Sequence, residues 1–215
     1  MAATLFYLVR NPASLARAAE EVRSAFTDVE EIRQGSTLTG CSYLRACIDE
    51  AMRMSPSVGG LLPREVQAGG MTICDEFIPE GTVVGTPHYT IHHNGDYYPQ
   101  PFRYVPERWL VGEENPLTGR PTTQEDLAAA QSAFCPFSIG PRGCIGKGLA
   151  YAEMTVTLAR VLFLFEVRKA MGVVDPGEGR RDLEWGRQRV GEFQLVDTFT
   201  SMKDGPMVEF RRREV

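Results

Sequence analysis

The pattern of apolar and polar positions opens on a short apolar run, Met1–Val9, cut by Asn11-Pro12, which predicts the end of a helix. Asn11 is suited to cap the next helix and Pro12 to occupy its first position. Leu15, Ala19, Val22 and Phe26 then recur at helical spacing, predicting a helix with Glu20, Glu21 and Arg23 outward. Gly35 to Gly40, rich in Ser and Thr, reads as a loop. A second firm helix is predicted from about Ser42 to Met54, stopped by Pro56, with Leu44, Cys47, Ile48 and Ala51 as its stripe. Beyond it the period shortens. Pro56–Arg64 is a strand or loop punctuated by Gly and Pro, and Met71–Cys74, Phe77–Ile78 and Thr82–Val84 are β-prone runs divided by turn residues.

Leu110–Gln131 reads as an exposed loop leading into a short helix at about Gln124–Ser132. Ile145, Leu149, Ala152, Val156, Ala159 and Phe163 keep helical spacing and predict a helix over 145–165. Gly172–Arg189, with Asp175-Pro176-Gly177 and many charges, reads as a surface loop of low order. Phe193–Val196 and Met207–Phe210 look like strands of a terminal hairpin, with Asp204-Gly205 as a turn signal. Arg211-Arg212-Arg213 reads as a solvated charge run.

Composition narrows the class. A chain of 215 residues, 43% hydrophobic and 24% charged, has enough apolar material for a packed core. Its net charge of −5 argues against a nucleic-acid partner. The five cysteines, at 41, 47, 74, 135 and 144, form no disulfide framework and fit a reducing compartment. No secretory signal, membrane-length apolar window or internal repeat is visible.

The chemistry concentrates in Phe137–Gly146. A thiolate ligates soft or borderline metals, and its pKa falls near cations and helix N-termini. Cys144 has Arg142 two residues before it and the predicted helix after it. Gly140, Gly143 and Gly146 let backbone approach a flat ligand where a Cβ would clash. The competing reading is a buried cysteine in a glycine turn ahead of a core helix. His88 and His92, four apart, have a spacing that holds zinc on a helix, but no third ligand is evident; a short surface helix leading into Tyr97-Tyr98-Pro99 is the reading preferred. Cys135 reads as a small packed residue near the loop. Glu50 and Arg53, three apart on a helix, read in isolation as a solvated pair worth a few tenths of a kcal/mol.

The complete pattern Phe-x-x-Gly-x-Arg-x-Cys-x-Gly, Phe137 to Gly146, resembles the haem-binding loop of the cytochrome P-450 family at every defining position. Glu50-Ala51-Met52-Arg53 resembles that family's Glu-x-x-Arg signature, and Pro106-Glu107-Arg108-Trp109 its Pro-Glu-Arg-Phe segment, with Trp for Phe. Pro63-Arg64-Glu65-Val66, Ile78-Pro79-Glu80-Gly81-Thr82 and Tyr97–Arg103 are similar to filamentous-fungal members of secondary metabolism. The resemblance implies a mainly α fold with small β-sheets: the C-terminal, proximal half of the cytochrome P-450 fold without its distal half, as one partial domain over 1–215. It implies haem b, with Cys144 as axial iron ligand, Arg142 and Arg64 on the propionates, and Phe137, Gly140 and Gly146 in the haem loop. Glu50, Arg53 and Arg108 become an inward-facing structural triad, in which Trp109 makes little difference as a similar aromatic wedge. Leu61, Leu62, Phe199 and Thr200, with Thr198, become candidates to face the substrate.

The activity so implied is a monooxygenase. It takes electrons from NADPH through a reductase, with cytochrome b5 as a further donor, and acts on a small apolar or aromatic substrate. The acid or alcohol pair of the family's central helix is not in this sequence, and residues 1–10 resemble the tail of that helix; no catalytic residue beyond the haem ligand is expected here. Two alternatives stand beside it: a catalytically incomplete haem-binding fragment, and a haem-thiolate isomerase or dehydratase needing no reductase. A full-length parent is expected at the endoplasmic reticulum membrane, and this chain, without a membrane segment, at its cytoplasmic face or in solution.

Overall fold

The computed structural model describes residues 1–214. The amphipathic first quarter forms α1 (Ala2–Arg10), α2 (Pro12–Ala25), the single turn α3 (Ser36–Thr39) and α4 (Ser42–Met54). The later helices are α5 (His88–His92), α6 (Gln124–Ser132) and the long α7 (Lys147–Leu164). The main core is helix on helix. Ala18, Ala19 and Val22 of α2 meet Leu44, Cys47 and Ile48 of α4 and Leu158, Ala159 and Leu162 of α7 in one buried cluster. Burying each large aliphatic side chain contributes about 1.5–3 kcal/mol, so this three-helix seam is the main source of stability. A second cluster joins Phe6 and Tyr7 of α1 to Ala51, Met54 and Phe193, and a third packs Tyr98, Trp109 and Ala130 together.

The strands form two-stranded antiparallel sheets. β1 (Arg64–Glu65) pairs with β4 (Val83–Val84), placing Arg64 opposite Val84. β2 (Met71–Ile73) and β3 (Glu76–Ile78) form a tight hairpin whose turn, Cys74-Asp75, has φ of +49° and +65°. β5 (Glu114–Asn115) pairs with β6 (Arg120–Pro121), and β7 (Phe165–Lys169) with β8 (Val208–Arg212). Among the described residues no helix is long and apolar enough to cross a membrane.

Helix positions follow the periodicity, but several side chains do not lie where it puts them. Glu21 is not outward: its carboxylate accepts the backbone N–H groups of Tyr43 and Leu44, both at 2.9 Å, and caps α4. Arg23 donates to the carbonyls of Leu162 and Phe165 at 3.0 and 3.1 Å, and Arg213 donates to that of Phe163 at 2.7 Å. Two arginines expected in solvent thus serve the carbonyls left over at the end of α7, where a positive charge is also favoured by the helix dipole. Asn11 does not cap α2 with its side chain, which donates back to the Tyr7 carbonyl. Gly35–Gly40 is not all loop, since α3 fills it.

The terminal segments differ most. β8 pairs with β7, directly after α7, not with Phe193–Val196, which makes only isolated bridges to Glu178 and Met202. Gly172–Arg189 is not a loose surface loop along its whole length: Asp175 is buried, and Arg10 donates to Asp175 at 2.8 Å and to Glu178 at 3.1 Å. The stripe expected along α7 also divides. Ala159 and Phe163 are buried, whereas Leu149 and the preceding Ile145 stand exposed at 66% and 104%.

Candidate functional site

Glu50, on α4, is completely buried, as is Arg53 one turn on, and Arg108 is only 5% exposed. The Glu50 carboxylate accepts from Arg53 Nε and Nη2, both at 2.9 Å, from Arg108 Nε at 3.0 Å, from the Val105 N–H at 3.1 Å and from Trp109 Nε1 at 3.0 Å. Trp109 is therefore more than a wedge: its indole N–H supplies a bond that phenylalanine lacks. Both arginines spend their remaining donors on backbone carbonyls, Arg53 on His92 and Arg103, Arg108 on Pro99 and Arg103. Burial pushes the Glu50 pKa up, but Arg53 and Arg108 outweigh it and hold the carboxyl down at about 2. Burial pulls Arg108 below its ordinary value while Glu50 pulls it back. The network is ionised and fully partnered, the condition under which charges survive in a core.

This network reaches the cysteine loop through His92. Arg53 donates to the His92 carbonyl at 2.8 Å, and the His92 ring Nε2 accepts the Cys135 N–H at 3.0 Å. His92 is fully buried and His88 nearly so, so α5 is not a surface helix. Burial lowers the His92 pKa to about 3, keeping the ring neutral and Nε2 free to accept. Among the described residues no cluster of three His, Cys, Asp or Glu side chains has metal-binding geometry.

Beyond Cys135 the loop closes on itself. Cys144 N–H donates to the Phe137 carbonyl at 2.8 Å, and Phe137 packs on Tyr151 of α7, ring centroids 5.3 Å apart. Ser138 and Gly140 take left-handed φ of +59° and +72°, which the reversal of the chain requires. Gly146 is the N-cap of α7, so the positive end of an eighteen-residue helix begins two residues after the sulfur. A Cβ on Gly146 would stand 3.7 Å from Cys144 Sγ; glycine leaves that flank open.

Cys144 borders a cavity of about 580 Å³. Of the residues singled out from sequence, Arg64, Leu62, Phe137, Arg142 and Phe199 line the same cavity. Two others do not. Leu61 is 45% exposed and leans on the backbone of Gly85, because neighbouring side chains of an extended segment point to opposite sides. Thr200 is exposed on the tip turn, where its carbonyl accepts from Thr198 Oγ1. Gly140 shapes the loop without lining the cavity. Met52, Val58 and Pro136 also line it and were not singled out, and so does His88, which the sequence marked only for its spacing from His92. Met52 was within reach, since it adjoins Arg53 on α4; nothing local marks His88 for this cavity. The wall is mainly apolar, with two guanidinium groups, one imidazole, two serine residues and one thiol: it suits a flat, apolar ligand that carries carboxylates and a metal open to a soft donor.

A family model for cytochrome P-450 matches residues 1–181. The chain is 46% identical over 213 residues to the cytochrome P-450 monooxygenase apf8 of Gibberella fujikuroi, covering 99% of this chain and 55% of that protein. It is 46% identical over 213 residues to the cytochrome P-450 monooxygenase AKT7 of Alternaria alternata, covering 99% of this chain and 40% of that one. The apf7 monooxygenase of Gibberella fujikuroi is 46% identical over 221 residues, with 39% of its length covered. Across eight such relatives, the chain spans between 36% and 59% of their length.

Proposed function

The chain belongs to the cytochrome P-450 family, and on that premise we propose that the cavity beside Cys144 is a haem site with Cys144 as the axial thiolate. The observation that carries the reading is the sharing of one apolar cavity by the Cys144 thiol and the Arg64 and Arg142 guanidinium groups. The donor set fits haem b: a soft ligand for iron and two planar forks for two propionates. When bound, thiolate-ligated haem supplies dioxygen activation and insertion of one oxygen atom into a substrate.

The work of the chain's own residues is binding and orientation. The hydrogen bond from Cys144 N–H to the Phe137 carbonyl fixes the sulfur's backbone just ahead of α7. Arg64 and Arg142 set the angular position of the ring through its carboxylates. Leu62 and Phe199 offer apolar contact to a small apolar or aromatic substrate. The Glu50 network holds the segment that bears the loop, as a structural device that takes no part in proton transfer. The complete activity on this reading is a monooxygenase fed by NADPH through a reductase, with cytochrome b5 as a further donor, in a parent protein at the endoplasmic reticulum membrane.

A second reading is favoured by Ile139, Ile145 and Leu149, exposed at 73%, 104% and 66% beside the thiol. Apolar side chains so placed are normally covered. On that reading these 215 residues bind haem but do not turn over substrate without a further covering segment.

The test is the reduced-plus-carbon-monoxide difference spectrum of the purified chain reconstituted with haem. The red-shifted Soret band of a thiolate-ligated ferrous complex, lost in Cys144→Ala, is expected. No uptake, or a band of histidine ligation, overturns the haem site. Substrate oxidation with an added reductase would set aside the second reading.

A further inference from the structure

We propose that His88 is a third polar contact for the carboxylates of the bound porphyrin, working beside Arg64 and Arg142; the inference rests on the haem reading above. His88 opens α5, four residues beyond the end of β4, and β4 pairs with β1, which carries Arg64 opposite Val84. This short ladder holds the histidine and the arginine on one wall, and His88, Arg64 and Arg142 line the same cavity. His88 is only 5% exposed, yet its Nδ1 finds no hydrogen-bond partner among the described residues. A buried polar nitrogen left unpaired is costly and uncommon, so one bordering a cavity points to a ligand that pairs it.

Its neighbours sharpen the case. His92 Nδ1 and His93 Nε2 are also unpartnered. His92 pairs its other nitrogen with the Cys135 N–H and His93 with the Tyr89 carbonyl, as His88 does with the Val58 backbone, but neither of those rings lines the cavity. Burial lowers the His88 pKa, against the opposing pull of the Val58 backbone, so the ring is neutral near pH 7. With the Val58 backbone drawing a proton to the ring's other nitrogen, Nδ1 donates once the ring takes up a second proton, which the negative charge of a carboxylate placed beside it favours.

The ligand chemistry named here is a carboxylate, and two sources carry it: the porphyrin and an acidic substrate. The experiment separates them by titrating the 215-residue chain with haem and with haem dimethyl ester, whose carboxylates are blocked. Wild type is compared with His88→Phe, which fills the ring's volume without a nitrogen, and His88→Gln, which restores an N–H. We expect His88→Phe to bind haem about tenfold more weakly, to bind the ester as wild type does, and His88→Gln to recover most of the loss. Should His88→Phe not fold, as read by circular dichroism, His88→Ala reads the same contrast. Equal losses for haem and ester, or no loss for haem, overturn the proposal, the latter leaving an acidic substrate as the partner. Wild type failing to take up haem with a thiolate spectrum overturns the haem reading, and this inference with it.

Discussion

The Glu50 network and the Cys144 loop are joined through Arg53, His92 and Cys135, yet their side chains live under opposite conditions. Glu50 and Arg53 have no solvent exposure, and every Glu50 oxygen is met by donors from this chain. Cys144, Arg142 and Ile145 stand exposed, and the loop's order comes from backbone hydrogen bonds. The comparison teaches a division of labour. Charges that a core must satisfy hold the structure, while the groups with reactive chemistry are left unsatisfied and accessible. It follows that stability should respond to the first region and ligand binding to the second.

The sharpest way to break this division is Glu50→Ala. It strands two buried guanidinium groups, and loss of one member of a buried ion network costs about 3–5 kcal/mol. Urea denaturation should show an unfolding free energy lowered by that amount or a chain that no longer folds cooperatively; a loss below about 1 kcal/mol would mean that the network is relaxed and hydrated.

Acid probes the same region without mutation. The folded Glu50 pKa, about 2, lies below its ordinary value of 4.5, so the unfolded chain takes up this proton first. Its contribution is complete above pH 4.5 and is lost as pH falls toward 2, a change on the order of 3 kcal/mol. Burial also lowers His92 to about 3 and His93 to about 4 from an ordinary 6.5, so the folded chain resists their protonation and stability begins to decline below pH 6.5. Denaturation midpoints at pH 7, 5 and 3 should therefore fall in two stages, and a double His92→Asn, His93→Asn variant should flatten the first.

The smallest effect belongs to the loop. Cys144→Ser should change the stability of the haem-free chain by less than about 0.5 kcal/mol, as exposed substitutions do, while removing the thiolate spectrum of the haem-loaded chain. A large loss of stability in the haem-free variant would show that the two regions are one unit.

Much of this was legible in the chain itself. The bounds of α2, α4 and α6 follow from prolines and apolar spacing, because these signals act within a few residues. The residues of the three signatures also meet in space: Glu50 with Arg53 and Arg108, and Arg142 with Cys144 at one cavity. Trp109 was misjudged because a hydrogen bond from its indole depends on where Glu50 points, which a motif does not state. The second terminal strand was placed almost correctly, at Val208–Arg212, but its partner was not, since the chain turns from α7 straight into β7.

By itself the sequence determined where α2, α4 and α6 begin and end, which faces of α2 and α4 are apolar, and which residues form the cysteine loop, since all of these are set by local spacing and backbone preference. Only the tertiary structure decided which charges are internal. Glu21, Arg23 and Arg213 look like surface residues by their position on their own elements, but each meets unpaired backbone groups at the end of another helix. His88 was likewise given its place in the cavity by the β1–β4 pairing. The physical reason is common to all four: a polar group's environment is set by neighbours distant in sequence, and periodicity reports only its angle about its own axis.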